Sequence, residues 1–109
     1  MAKYLVQFTY TDEGMKGLIR EGGSKRREAL EQAVKSVGGK IEAFYFAFGE
    51  SDGIAIVEGA SPAPDPGLIS VLLAISASGA VRLKTTILIT PEDMDQSVKK
   101  SPSYRPPGK

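Results

Sequence analysis

The sequence predicts an α+β fold of order βαββαβ, built on one four-stranded antiparallel sheet. Three observations predict it. Segments near 3–10, 40–48, 54–58 and 80–90 carry apolar and β-branched residues at the two-residue period of strands. Apolar residues at helical spacing separate the first strand from the second and the third from the fourth. A short link with a glycine at each end, Gly49-Glu50-Ser51-Asp52-Gly53, joins the middle pair as a hairpin.

Each element has its own local justification. From Lys3 to Tyr10, Tyr4, Val6, Phe8 and Tyr10 point one way and Leu5, Gln7 and Thr9 the other. Thr11-Asp12-Glu13 offers a capping hydroxyl and first-turn acids to a helix carrying Met15, Leu18 and Ile19. Gly22-Gly23 interrupts it. Ser24 can cap a new segment with the apolar stripe Ala29, Leu30, Ala33, Val34 and Val37, which Gly38-Gly39 ends. Lys25, Arg26 and Arg27 fall in its first turn, where the helix dipole disfavours cations. They form either a cluster facing a partner or ligand or, more plainly, a solvated helix face.

Lys40 to Phe48 is the second strand and Ile54 to Glu58 the third. A proline-rich connection follows, in which Asp65 caps a helix with Pro66 at its first position. That helix runs to about Ser78 on Leu68, Ile69, Leu72, Leu73 and Ile75, and Gly79 stops it. Ala80 to Thr90 is the fourth strand. Thr90-Pro91-Glu92-Asp93 starts a last short helix through about Val98. This is the split-βαβ, ferredoxin-like arrangement, with both crossovers on one face of the sheet and the first and third strands central.

The chain has 109 residues, enough for one domain, and 41% of them are hydrophobic, as in globular proteins. The domain is expected over 1–98, with 99–109 a basic, proline-rich flexible tail. Lys99, Lys100, Arg105 and Lys109 lie in that tail without an acid, so the +1 net charge hides an acidic body. Such a body gives no support for a polyanion partner. Cys, His and Trp are absent, which removes disulfides, thiol and imidazole catalysis and the usual zinc sites. No apolar run is long enough for a membrane span, and Lys3 leads directly into a strand; neither a membrane partner nor a signal peptide is expected, and the setting read from this is the cytoplasm.

If the helices cover the smaller residues, the inner face holds Val6, Phe8, Ala43, Tyr45, Ala47, Ala55, Val57, Leu83 and Ile87. The outer face then carries Leu5, Phe44, Phe46, Phe48, Ile54 and Ile56. So large an apolar patch needs a cover, and a second copy packing sheet to sheet is the economical one. A homodimer, or a larger homo-oligomer, is therefore expected.

Gly38-Gly39-Lys40, Ala43-Phe44-Tyr45, the run Phe48 to Glu58, Ser78 to Thr86 and Leu88-Ile89-Thr90-Pro91-Glu92 resemble the GYD domain family, as do Tyr4 to Thr11, Gly14 and Gly17. The similarity spans most of residues 3 to 96. It implies a dimeric α/β barrel fold and no assigned biochemical role. At the signature turn this chain keeps Gly49 and Asp52 but has Ser51 in place of the family's tyrosine.

Chemistry has few homes here. Gln7, Thr9, Glu58, Arg82, Lys84 and Thr86 share the outer face and are the candidate ligand-binding residues, suited to a small anionic or amide-bearing molecule in a cavity between facing sheets. A desolvated lysine among them could act as a base or Schiff-base former, making a cofactor-independent enzyme the rival reading. The plainer account is ion pairing of Glu58 with Arg82 or Lys84 across a dimer seam. The 49–53 turn lacks the donors of a calcium loop, so neither metal nor cofactor is expected. A serine nucleophile has no histidine to activate it. RNA-recognition domains share this topology and stack bases on sheet aromatics, which makes an RNA-binding module the second alternative; Ile54 to Glu58 contains no aromatic, however, so no nucleic-acid partner is expected.

Overall fold

The computed structural model describes residues 2–109. Its elements are β1 (Lys3–Tyr10), α1 (Asp12–Glu21), α2 (Gly23–Ser36), β2 (Lys40–Phe46), β3 (Gly53–Glu58), α3 (Pro66–Ala77), β4 (Val81–Leu88) and α4 (Pro91–Val98). The sheet is antiparallel throughout in the order β2-β3-β1-β4, so β1 and β3 are central and the α+β, ferredoxin-like expectation holds. The first crossover is two helices. Gly22, at φ 88, breaks the path in a conformation that costs glycine least, and it serves as the N-cap of α2 without a side-chain bond, in the place expected of Ser24.

The core lies between the sheet and the helices. Tyr4, Val6 and Phe8 of β1, Ala55 and Val57 of β3, Val34 of α2, and Leu68 and Val71 of α3 are all buried. Phe8 stacks with Phe44 at 5.4 Å between ring centroids, and Phe44 meets Phe46 edge-on at 5.4 Å. Aromatic pairs of this kind add about 0.5–1.5 kcal/mol beyond their buried area.

This cluster corrects the expected facing of β2. Phe44 and Phe46 lie on the helix side with Phe8, whereas Ala43 and Tyr45 lie on the open side. The cause is a bulge: Ile41 pairs with Val57 and Ala43 with Ile56, which leaves Glu42 as an extra residue and reverses the alternation beyond it. Glycines make room for the rings. A Cβ at Gly53 would strike the ring of Phe8, and one at Gly23 would lie 2.7 Å from Phe46 Cε2. Phe48 falls beyond the end of β2 and is fully exposed.

Asp65 holds the proline-rich connection to α3. Its carboxylate accepts hydrogen bonds from the backbone N–H groups of Ser61 (2.9 Å) and Leu68 (3.1 Å), and its own N–H donates to Tyr4 Oη (3.2 Å). Covered by its own loop, the residue is only 4% exposed. The N–H donors of Ser61 and Leu68 chiefly lower its pKa from the ordinary 3.8, with those of Gly67 and Ala60 adding and desolvation opposing. A depressed carboxylate contributes stability that is complete above its unfolded pKa and is lost as pH falls through the folded one. Asp65→Ala is therefore expected to lower the melting temperature at pH 7 by about 4–8 °C, the effect of losing a helix cap. The gap from wild type should narrow below pH 3.8. A gap independent of pH in melting curves would contradict this account.

The C-terminal segment leaves the body. In α4, Asp93 N–H donates to Thr90 Oγ1 at 3.0 Å, Thr90 N–H returns a 3.5 Å contact to the Asp93 carboxylate, and Pro91 occupies the first turn. No residue of α4 is buried, and Ile89, Met94, Val98 and Tyr104 are largely exposed. Caps, rather than packing, hold this helix. No helix among the described residues is long and apolar enough to cross a membrane.

Candidate functional site

The open face of the sheet places the predicted residues in two groups. Along the β1/β4 ladder, Leu5 is opposite Thr86, Gln7 opposite Lys84 and Thr9 opposite Arg82. Directly opposed side chains have Cβ atoms about 4.5–5.5 Å apart, so Gln7, Thr9, Arg82, Lys84 and Thr86 form one polar patch. Among the described residues, neither Arg82 nor Lys84 has an ion-pair partner. On the other side of β1, Gln7 faces Ile54 and Leu5 faces Ile56, which gives the patch an apolar border. Tyr45 and Ala43 of β2 extend that border.

Glu58 does not join the patch. It lies opposite Lys3 and Lys40, four positions along β1 from Gln7, or about 13 Å at strand rise. Lys40 Nζ is 3.8 Å from its carboxylate, and Lys3 Nζ is 2.9 Å from that of the bulged Glu42. The hydrogen bond from Lys3 to Glu42 raises the Lys3 pKa first, the Glu42 and Glu58 charges support it, and desolvation opposes it. Glu58 thus pairs within its own chain, at the opposite end of the face from Arg82. The structure also takes the phenylalanines off this face. Leu5, Ile54 and Ile56 remain on it, and Tyr45 is an aromatic there that sequence reasoning had turned inward.

The signature turn is a strand clamp. Asp52 accepts a hydrogen bond from Tyr10 N–H at 2.8 Å through its carboxylate, and its own N–H donates to Phe8 O at 2.9 Å. Its carbonyl accepts from Ala47 N–H at 2.8 Å. Asp52 therefore fastens the end of β1 to the hairpin, and its carboxylate is engaged by backbone. Ser51 precedes it at a half-buried position, and Gly49 has open space around it. Among the described residues, no group of three or more Asp and Glu side chains gathers as a cation site.

A cavity of about 590 Å³ lies on the other side of the sheet, between α2 and α3. Sequence reasoning missed it. Ala29, Ala33 and Ser36 on α2 line it opposite Ser70 and Ala74 on α3 and Ser78 at the C-cap of α3. Small residues spaced by one helical turn on facing helices are the signal that could have found it. Tyr10 and Arg26 close one end, beside a polar cavity of about 340 Å³. Burial chiefly raises the Tyr10 pKa and keeps the phenol protonated, with Arg26 opposing and Asp52 and Glu21 adding to the shift.

With this geometry in place, comparison with known proteins adds one finding: the GYD domain model matches residues 4–98. No curated protein matches the chain.

Proposed function

This chain belongs to the GYD domain family, and from that premise we propose that it acts as a homo-oligomeric binding or assembly module whose open sheet faces pack together around a small-molecule site. One observation carries the reading. The face bearing Leu5, Ile54, Ile56 and the exposed Tyr45 has no layer over it, while all the helices that contribute to the core lie on the other side. A continuous apolar area on a sheet is the usual mark of a surface with a partner. A two-fold pairing would bring two copies of the Gln7, Thr9, Arg82, Lys84 and Thr86 patch into one enclosure, where water is excluded and a small anion gains most from cationic neighbours. The intrachain pairs Lys3–Glu42 and Lys40–Glu58 would form its polar rim. The uncovered apolar residues of α4 fit the same assembly, as an arm that finds its packing on a second subunit.

Light scattering at micromolar concentration tests this, with the expected mass twice that of one chain. Ile56→Lys, which puts a charge in the centre of the face without touching the core, is expected to weaken self-association at least roughly tenfold while leaving the far-ultraviolet dichroism unchanged. A wild-type protein that is wholly monomeric at that concentration overturns the reading.

A further inference from the structure

We propose that the cavity between α2 and α3 is a binding site for an amphipathic monocarboxylate, with the apolar body between the helices and the carboxylate on Arg26. This site lies across the sheet from the open face and does not depend on self-association.

Three observations carry it. The cavity, at about 590 Å³, is within the range of roughly 300–1,000 Å³ that suits a small organic ligand. Its walls are mainly apolar, with Phe8, Leu30, Val71 and Ile75 beside small residues whose hydroxyls, at Ser36, Ser70 and Ser78, are tied back to carbonyls one turn earlier. A molecule filling it gains free energy mainly from burying hydrocarbon.

Arg26 breaks this apolar lining at one end. Its Nε forms an ion pair with Glu21 Oε1 at 2.7 Å but off hydrogen-bond alignment, so the buried N–H is charge-paired without a hydrogen-bond acceptor. No other Arg26 nitrogen has an acceptor within the chain among the described residues. A guanidinium presents five N–H donors in a fork that fits a carboxylate. Tyr10, which lines the same end, supplies a protonated phenol as a further donor.

Charge selects the head group. Arg26 is shared with the polar cavity, which Arg20, Lys25, Glu13 and Glu21 also line. Three cations face two carboxylates there. The surplus is a single positive charge, which suits a monoanion and is poorly matched to a phosphate dianion.

Calorimetric titration of the full-length protein with decanoate and with 1-decanol, equal in chain length, tests the site. Wild type should bind decanoate at least roughly tenfold more tightly than decanol. Arg26→Gln should remove that preference and leave decanol binding unchanged. Ala33→Phe, which fills the cavity, should abolish both, and Ala74→Leu provides the same test from the facing helix if the first variant fails to fold. The proposal is overturned by absence of decanoate binding to wild type at millimolar concentration, or by equal decanoate affinity in wild type and Arg26→Gln. It is equally overturned if Met94→Lys in α4 raises decanoate affinity tenfold, since the groove would then belong to that helix from a second copy.

Discussion

Gly14→Ala is expected to destabilise the fold by about 1–3 kcal/mol or more, while Gly17→Ala, one helical turn away, stabilises it by about 0.5–1 kcal/mol. Both glycines lie in α1. Their surroundings differ completely. Gly14 is buried, and an added Cβ would run into the carbonyl oxygen of Ala80 and lie 2.9 Å from its carbon. No flexible side chain can yield there, because the same oxygen accepts a 3.0 Å hydrogen bond from Thr11 N–H. Thr11 also donates its hydroxyl to Gly79 O at 2.9 Å and accepts from Gly14 N–H at 3.2 Å. The start of α1 is therefore locked to the start of β4. Gly17 has nothing within 4 Å of an added Cβ and adopts ordinary helical backbone, so alanine there only removes freedom from the unfolded chain. Urea unfolding of the two variants measures the difference. Equal stabilities would show that the α1–β4 contact yields where this account has it rigid.

Leu68→Ala should cost about 2–5 kcal/mol, a large share of the roughly 5–15 kcal/mol that a domain of this size has in hand. Leu68 is 1% exposed and is among the largest fully buried side chains. It sits one turn after the Asp65 cap, where its N–H is held at 3.1 Å, so its backbone cannot follow a shrinking side chain inward. It also borders the 590 Å³ cavity, and truncation enlarges an existing void. Leu73→Ala, on the same helix but 64% exposed, should change stability by no more than about 0.5 kcal/mol. Comparable losses at the two positions would mean that α3 does not present the face described.

The central strands were legible from sequence because each is paired on both sides. Alternation over Tyr4, Val6 and Phe8 matches that over Ala55 and Val57 with no interruption, and period two needs no further information. The edge strand β2 was not legible. Its bulge at Glu42 has no glycine or proline to mark it, and one inserted residue is enough to exchange Phe44 and Phe46 for Ala43 and Tyr45. The idea that helices cover the smaller residues failed for a local reason: room for the large rings comes from the missing side chains of Gly23 and Gly53.

The site was legible in the same uneven way. Sequence spacing put Gln7, Thr9, Arg82, Lys84 and Thr86 on one face, and pairing of neighbouring strands brought them together. The distance of Glu58 from them depends on the register of three strands, which residue type does not encode. Asp52 was visible as a turn residue, but its tie to Tyr10 N–H spans 42 positions and appears only in the folded chain. The cavity depends on how far apart α2 and α3 stand. Ala and Ser, where a core would ordinarily have Leu, leave the space between them unfilled.

The projecting C-terminal segment has a consequence for how size is measured. The radius of gyration is 17.0 Å, over extents of 56 × 34 × 22 Å. A compact chain of this length would have about 13 Å, and a compact particle of two such chains about 17 Å. A single extended subunit and a closed pair therefore cast nearly the same hydrodynamic shadow. Elution volume and the slope of low-angle scattering are blind to the difference, whereas forward scattered intensity, which counts electrons rather than reach, separates one subunit from two.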